Sequence, residues 1–236
     1  MKSLLASAID RLEGTRVAVL GDLVLDEFLY GEIARVSREA PVLILDHRRL
    51  DAMPGGGANA VANVRSLGGV PLPCGVVGED AAGERLLSLF AASGIETAGI
   101  TRIAGHTTPT KRRVLAGLPH SRSQQIVRID TGSSWRVPGD AASASAERAR
   151  DFLIGSRGGP AAAGVLISDY GFGGASPEAA RALIEEARTR KIPVACDSRH
   201  RMKAYRGVTA GTPNLEEAEE MLGAQLDDEG ARVEDA

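Results

Sequence analysis

The stretch MPGGGANAVANVRSLGG, from Met53 to Gly69, places three consecutive glycines and an asparagine directly before a helical pattern. Glycine has no Cβ, so such a run either turns the chain or lets the backbone approach a polar ligand. Gly-rich turns before helices are common, and the stretch alone does not decide between these roles. It follows a segment that reads as irregular rather than as a clean strand, and the sequence has no GxxxxGKS/T motif. A dinucleotide-binding turn or a P-loop is therefore not indicated.

Apolar runs alternate with helical patterns on both sides of this stretch, which is typical of βαβ units. Val17–Leu20 and Val165–Ile167 are apolar at consecutive positions, as in parallel strands covered on both faces. Ser176-Pro177 supplies an N-cap and a first-turn proline for a helix over Glu178–Lys191. The sequence therefore predicts an α/β fold built on a doubly wound, mostly parallel sheet.

Two segments interrupt this alternation, about 30–50 and about 107–130, because both are strand-like and neither contains a helix. We interpret them as extra antiparallel strands that form a small β lid over the carboxyl edge of the sheet. An edge hairpin without a binding role is the alternative. The ligand-facing interpretation is favoured by their basic side chains, which are Arg35, Arg38, Lys111, Arg112, Arg113 and Arg128.

Composition narrows the class of protein. The 236 residues carry a formal net charge of -3, and a nucleic-acid-binding surface would normally show a basic excess, so no nucleic-acid partner is expected. No apolar run reaches roughly 18 residues, and the amphipathic Met1–Leu12 is unlike a signal peptide, so we expect no membrane span and a cytoplasmic location. Cys74 and Cys196 lie far apart in apolar contexts and are predicted to be buried thiols.

Polar residues cluster after the predicted strands, where open parallel sheets bind their ligands. They are Asp22, Asp26, Ser168–Gly171, Asp197–His200 and Thr212–Asn214. Any one of them is more often a helix cap or a turn former than a ligand contact. Several converging on one sheet edge predict a site.

The motifs taken together resemble the ribokinase-like (PfkB-type) carbohydrate kinases. They are GDLVLDEFLYGEIARVSREAPVLIL, PGGGANAVANVRSLGG, GVVGEDAAGERLLSLF, SDYG and TPNLEE. The likeness runs from about Val17 to about Glu219 and is strongest to the heptose-7-phosphate kinases of lipopolysaccharide-core biosynthesis. RxSxEAPV and QQxxRID favour that branch, whereas the glycine turn and asparagine mark only the superfamily.

The resemblance assigns a sugar-binding role to the opening stretch. In such kinases, the glycine turn presents backbone N–H groups to sugar hydroxyls, which implies Gly55 and Gly56 here. It implies that Asn59 hydrogen-bonds the sugar and that Asp26, matching the first-strand aspartate of the family, grips its hydroxyls. A carboxylate suits that task because it accepts two hydroxyl hydrogens. Asp169 is included among the substrate-binding residues on the same resemblance.

The resemblance also implies phosphate and metal contacts. Lys111 and Arg113, on the second lid segment, are candidates for the phosphate that the sugar already carries. Asn214 and Glu217 match an NxxE element that organises Mg²⁺ and phosphate through water, and Asn214 also suits a helix N-cap. ATP and Mg²⁺ are the implied cofactors, with a monovalent cation left open. A homodimer through the lid strands is implied in the same way.

The sequence departs from the family at its most diagnostic motif. It has no Gly-Ala-Gly-Asp turn, which in the family supplies an anion hole and the catalytic aspartate. Gly139-Asp140 is not a substitute, since it precedes a predicted helix over Ala141–Leu153 and suits an N-cap. We therefore expect residues 1–236 to form an incomplete kinase domain that lacks the C-terminal nucleotide-binding part and is inactive alone.

Two smaller departures concern the substrate. Phe172 stands where heptose kinases usually show lysine, and DSRH replaces a more usual Asp-Pro-Lys, so another sugar or a role for Arg199 and Lys203 stays open. A non-catalytic protein that binds a sugar phosphate or a protein partner, and a decayed reading frame, are the alternatives. Whether an adenylyltransferase domain belongs with the chain is also open.

Overall fold

The structure is a computed structural model that describes residues 7, 9–118, 123–156, 159–224 and 226. Its strands are β1 (Arg16–Gly21), β2 (Leu23–Val36), β3 (Leu43–Gly56), β4 (Val70–Gly78), β5 (Ile100–Ile103), β6 (Thr110–Gly117), β7 (Gln124–Thr131), β8 (Gly164–Asp169), β9 (Val194–Ser198) and β10 (Ala210–Gly211). Its helices are α1 (Gly57–Ser66), α2 (Ala81–Ala92), α3 (Gly139–Ile154), α4 (Pro177–Thr189) and α5 (Leu215–Leu222), with a 3₁₀ turn at Met202–Ala204.

The larger sheet has six strands in the order β10-β9-β8-β1-β4-β5, and every neighbouring pair is parallel. Leu20 and Ile167 pack with α3 and α4 residues on one face, while Val19 packs with α1 and α2 residues on the other. The central strands are buried on both sides, as their consecutive apolar residues predicted. The predicted doubly wound α/β fold is therefore confirmed.

The smaller sheet, called the lid sheet here, has the order β3-β2-β6-β7. β2 pairs antiparallel with β3 and parallel with β6, and β6 pairs antiparallel with β7. The first residues of β2, Leu23 to Leu25, are buried in the core, and the strand continues outward without a break. The expected small β lid is thus present, but it is mixed rather than antiparallel because β6 lies beside β2.

β3 corrects the interpretation of the segment before the glycine run as irregular. It runs through Pro54 and Gly55 to Gly56, where α1 follows directly. Proline and glycine disfavour strands, but here they pair with Leu23, Val24 and Leu25 of β2. Tertiary pairing overrides the local propensity at these positions.

Two helix starts test the predicted caps. The hydroxyl of Ser176 accepts the Ala179 N–H at 3.3 Å and Pro177 is the first residue of α4, as predicted. By contrast, α3 begins at Gly139 with Pro138 at its N-cap, so Asp140 lies inside the first turn and is not the cap. Among the described residues, no helix is long and apolar enough to cross a membrane.

Candidate functional site

The glycine turn between β3 and α1 is required by close backbone packing. Gly56 has φ +52, and a Cβ there would lie 2.8 Å from Cγ2 of Val24. The Gly57 N–H donates to the carbonyl of Asp22 at 2.8 Å, which ties the helix start to the beginning of β2. Glycine suits this position, because the backbone has a positive φ and there is no room for a side chain. The turn thus seats α1 directly against the end of the parallel sheet.

Gly55 makes room for the carboxylate of Asp26. A Cβ at Gly55 would lie 2.7 Å from Cγ of Asp26, closer than real Cβ contacts. Asp26 stands on β2 of the lid sheet, opposite Met53 of β3, and not on the first strand of the parallel sheet. Its side chain is 20% exposed. The carboxylate therefore lies directly beside the glycine turn.

Asp26 faces Arg113 of β6 without forming a well-aligned hydrogen bond. Its Oδ1 lies 3.0 Å from Nη1 of Arg113, which counts as an ion pair by distance. Neither of these two atoms has a hydrogen-bond partner within the described part of the chain, although both are buried. The distance shows attraction, while the misalignment leaves hydrogen-bonding capacity on both groups. A polar ligand could satisfy both.

Lys111 and Arg199 meet at the ring of Tyr170. The Lys111 Nζ lies 5.2 Å from the ring centroid, and the Arg199 Cζ lies 5.0 Å from it. Burial lowers the pKa of Lys111, and the positive charge of Arg199 lowers it further. Lys111 comes from the lid sheet, whereas Tyr170 and Arg199 follow β8 and β9 of the parallel sheet. The lid and the carboxyl edge of the parallel sheet therefore meet at this ring.

Asp169 forms a saturated network directly beside this cleft. Its carboxylate accepts bonds from Ser198 Oγ at 2.8 Å, Tyr205 OH at 2.7 Å, Gly171 N at 2.9 Å and Arg201 Nε at 3.0 Å. Burial raises the pKa of Asp169, but these hydrogen bonds outweigh it and leave the pKa below its ordinary value. The side chain is 1% exposed. This geometry favours a positioning role over the predicted sugar contact, which stays a prediction.

Asp22 organises the loop that carries Tyr170, a role that sequence reasoning did not assign. Its carboxylate accepts the N–H groups of Tyr170 at 2.8 Å, Phe172 at 2.9 Å and Gly174 at 2.7 Å. Burial raises the pKa of Asp22, and the charge of Asp169 adds to that rise against the three backbone bonds. The only signal in the sequence was its position at the end of a predicted strand.

Asn214 and Glu217 form the capping box of α5. The Asn214 Oδ1 accepts the Glu217 N–H at 2.8 Å, and the Glu217 carboxylate accepts the Asn214 N–H at 2.9 Å. Burial raises the pKa of Asp197, and the negative charge of Glu217 raises it further. Two carboxylates that repel each other at a cleft suit Mg²⁺, which commonly takes one or two protein carboxylates together with substrate phosphates. The described residues contain no group of three or more ligands for a metal ion.

Tyr170 connects the two sets of predicted residues. Burial raises its pKa, and the negative charges of Asp197, Asp26 and Glu217 raise it further, against the opposing charge of Arg199. Asn59 is exposed in the first turn of α1, and His200 is exposed after β9. The structure brings together the lid residues, Tyr170 and the carboxyl edge of the parallel sheet.

Comparison with known proteins identifies the class. The chain belongs to the pfkB family of carbohydrate kinases, whose model matches residues 15–135, more than half of the chain. This range includes the glycine turn, α2 and the four strands of the lid sheet. The resemblance seen in the sequence is confirmed at the level of the family.

Individual relatives refine the comparison. The bifunctional protein HldE of Wolinella succinogenes is 36% identical over 216 residues, covering 91% of this chain and 43% of the relative. HldE of Trichlorobacter lovleyi is 35% identical over 236 residues, covering 100% of this chain and 46% of the relative. The chain therefore spans less than half the length of these relatives.

A solved structure confirms the fold. Arabidopsis thaliana ribokinase, complexed with ribose and ATP, matches with a TM-score of 0.59 and 15% identity, over 92% of this chain and 65% of that one. At this identity the likeness concerns the fold alone. The ribokinase-like architecture expected from the sequence is thus correct.

Proposed function

We propose that this chain is the sugar-binding and lid-bearing part of an ATP-dependent kinase that phosphorylates a hydroxyl of a sugar phosphate, with heptose 7-phosphate as the substrate. The observation that carries the proposal is the carboxylate of Asp26 beside the glycine turn, with an Oδ1 that has no hydrogen-bond partner among the described residues. Membership of the pfkB family supports a sugar kinase, and the HldE relatives support a heptose substrate.

The proposed sugar contacts follow from the geometry of the turn. Asp26 accepts sugar hydroxyls, Gly55 and Gly56 leave the backbone approachable, and the exposed Asn59 donates from α1. Buried groups that are built to bind hydroxyls penalise analogues lacking them, because those groups are then left unpaired. The same site thus supplies selectivity as well as affinity.

Phosphoryl transfer needs further groups. Asp197 and Glu217 fit an Mg²⁺ ion that would neutralise phosphate charge, with Asn214 holding Glu217 in place through the capping box. ATP is the proposed phosphate donor, and the proposed location is the cytoplasm. Lys111 and Arg113 are the basic lid residues that we propose for contact with the sugar phosphate. A monovalent cation stays open.

A homodimer through the lid strands belongs to the same proposal. Large apolar side chains on the lid sheet are exposed in the single chain, namely Val36, Leu43, Leu50, Met53, Ile126, Val127 and Ile129. β3 and β7, which carry six of them, are the two edge strands of the lid sheet, where a second chain can pair. Sedimentation of the chain at several concentrations tests this part of the proposal.

A second candidate function is sugar-phosphate binding without catalysis. It needs only the residues proposed to contact the sugar, which are Asp26 and the glycine turn. A chimera distinguishes the two functions. It joins the 236-residue chain to the C-terminal segment of the Wolinella succinogenes relative. Transfer of phosphate by the chimera supports the kinase, and sugar binding without transfer supports the binding protein.

Calorimetric titration with a heptose 7-phosphate tests the sugar site directly. The 236-residue chain, checked for folding by circular dichroism, should bind the sugar, and Asp26→Asn should weaken binding about tenfold or more. Asp140→Asn is the matched control, because Asp140 is exposed in the first turn of α3. Equal affinities in the wild type and Asp26→Asn would contradict the proposed site.

A further inference from the structure

The segment that leads into β6 is held by a carboxylate from outside the lid sheet. Asp80, between β4 and α2, accepts the Thr108 N–H at 2.9 Å through Oδ2 and the Thr108 hydroxyl at 2.7 Å through Oδ1. The Thr108 Oγ1 in turn accepts the Gly78 N–H at 2.8 Å. Thr108 is fully buried. Its backbone and its side chain are therefore both fixed to the end of β4.

Asp80 holds this segment and the start of α2 at the same time. Its Oδ1 also accepts the Gly83 N–H at 2.8 Å, which makes Asp80 the N-cap of α2. Burial raises the pKa of Asp80, but hydrogen bonds from Gly83 and Thr108 outweigh it and leave the pKa below its ordinary value. The carboxylate is therefore ionised at neutral pH, and hydrogen bonds to an ionised acceptor are stronger than those between neutral groups.

The residues that follow contact both neighbours of β6 in the lid sheet. The Pro109 carbonyl accepts the Leu25 N–H of β2 at 2.9 Å. Thr110, the first residue of β6, pairs with Thr131 of β7, and Lys111 comes next in the strand. The position of the fixed segment therefore sets where β6 begins and where its basic side chains stand.

Asp80 and Thr108 lie behind the lid sheet, on the face opposite to Asp26. They line a cavity together with Glu27 and Arg112. Successive side chains of a strand point to opposite faces, so Glu27 faces away from the side of Asp26. Asp80 and Thr108 therefore influence a sugar held by Asp26 through the backbone of β6, and not by contact.

We propose that Asp80 and Thr108 are positioning residues for the sugar site, because together they fix the start of β6, and with it Lys111 and Arg113, against the parallel sheet. This inference rests on the proposed function and deepens it, since it names two residues away from the sugar on which the affinity depends. The link to the site is Arg113, whose Nη1 lies 3.0 Å from Oδ1 of Asp26.

Calorimetric titration of the 236-residue chain with a heptose 7-phosphate tests the inference. Thr108→Val removes the hydroxyl, and Asp80→Asn keeps an oxygen to cap α2 but loses the acceptor for the Thr108 N–H. We expect each variant to lose about tenfold in affinity, and Thr108→Ser, which keeps the hydroxyl, to stay within about twofold of the wild type. The losses of Thr108→Val and Asp80→Asn should not add in the double variant, because both remove the same contact.

Thr209→Val is the matched control. The Thr209 hydroxyl accepts the Val194 N–H at 3.0 Å, at the first residue of β9 and thus at the opposite end of the parallel sheet. This variant also removes a hydroxyl that accepts a backbone N–H. We expect it to change the affinity by about twofold or less.

Hydrogen exchange followed by mass spectrometry gives a measurement that needs no ligand. In Thr108→Val we expect faster exchange across residues 107–117 and unchanged exchange in β9, because the start of β6 loses its attachment. Unchanged exchange across residues 107–117 would show that Asp80 and Thr108 do not hold β6.

Two results of the titration overturn the inference. Equal affinities in Thr108→Val and Thr209→Val would show that the contact does not position the site. An equal loss in Thr108→Ser and Thr108→Val would show that the hydroxyl is not the group responsible. Failure of the proposed function is distinguishable, because the wild type would then not bind the heptose 7-phosphate, while hydrogen exchange would still report whether β6 is held.

Discussion

Asp169 and Asp26 each face an arginine in the same cleft, yet their surroundings differ. Asp169 is 1% exposed and accepts hydrogen bonds from three side chains and one backbone N–H. Asp26 is 20% exposed, and its Oδ1 has no hydrogen-bond partner in the described part of the chain, although Arg113 lies 3.0 Å away. A carboxylate whose acceptors are filled stabilises the fold, whereas one with a free acceptor keeps capacity for a ligand. We therefore call Asp169 the scaffold carboxylate, because its hydrogen bonds stabilise the fold, and Asp26 the ligand-facing carboxylate.

Removing the scaffold carboxylate should have the largest effect on stability. Asp169→Ala leaves Arg201, Tyr205 and Ser198 without their shared acceptor. We expect the free energy of unfolding to fall by about 3 kcal/mol, the lower end for a broken buried pair because Arg201 is partly solvated. Denaturant unfolding followed by circular dichroism measures the change.

Asp26→Ala is the matched comparison and should lower the free energy of unfolding by less, about 1–2 kcal/mol, because it removes one ion pair rather than a network of hydrogen bonds. A larger change in the free energy of unfolding for Asp26→Ala than for Asp169→Ala would contradict the assignment of Asp169 as the scaffold carboxylate. The effect also depends on pH. Because hydrogen bonds hold the pKa of Asp169 below its ordinary value against burial, its contribution is present above the unfolded pKa of about 4 and is lost as the pH falls through the folded pKa.

Filling the space under Asp26 should impair binding more than folding. Gly55→Ala places a Cβ 2.7 Å from Cγ of Asp26, and the carboxylate must move. We expect the affinity for a heptose 7-phosphate to fall about tenfold, with about 1–2 kcal/mol lost from the free energy of unfolding. Gly139→Ala is the control, since a Cβ there meets nothing within 4 Å. Similar affinities in the two variants would argue against the placement of Asp26.

The pH profile of binding should sharpen the contrast between the two regions. Burial lowers the pKa of Lys111, and the positive charges of Arg199 and Arg128 lower it further. The negative charges of Asp26 and Asp130 oppose this shift. Only the protonated amine attracts a phosphate, so affinity should decline as the pH rises through this lowered pKa. Lys111→Arg stays charged and should flatten the alkaline limb while changing the affinity at neutral pH only severalfold.

The profile is obtained by titrating a heptose 7-phosphate between about pH 7 and about pH 10. The unphosphorylated heptose serves as the control and should show no alkaline limb attributable to Lys111. A limb that persists in Lys111→Arg would assign the titration to another group.

The smallest expected effect concerns the two cysteines, whose thiols should be unreactive in the folded chain. Both thiols are buried, as predicted, and burial followed by the charges of Asp169 and Asp197 raises the pKa of Cys196 to about 12. A thiol reagent at about pH 8 should therefore leave Cys196 unmodified in the folded chain and modify it after denaturation. Fast modification of the folded chain would show that this strand end is open.

The sequence predicts those parts of the fold that local pattern controls. Consecutive apolar residues predicted the central strands, and Ser176-Pro177 predicted the start of α4. Strand pairing through Pro54 to Gly56 was missed, because it depends on β2 and not on local propensity. The role of Asp22 was missed for a similar reason, since its first partner, Tyr170, lies 148 residues further along the chain.

Some residues of the candidate site were predicted from the sequence, whereas their contacts were not, because contacts depend on long-range pairing. Asp26, the glycines, Lys111 and Arg113 were predicted from motifs, and the structure places Arg113 at 3.0 Å from Asp26. The motifs carried no information about which basic residue pairs with which acid, because that depends on cross-strand pairing in β2, β6 and β7. The meeting of Lys111 and Arg199 arises only when the lid packs against the parallel sheet.

The unbroken course of β2 has a mechanical consequence. Its root is fixed in the core at Leu23, while register shifts interrupt its pairing with β3 at Tyr30/Gly31 and Ile33/Arg35. Such irregularities bend a strand and weaken its ladder. We therefore expect the lid sheet to be stiffer near Asp26 and Phe28, where β2 pairs in register with both β3 and β6, than toward Val36, where it pairs with β3 alone.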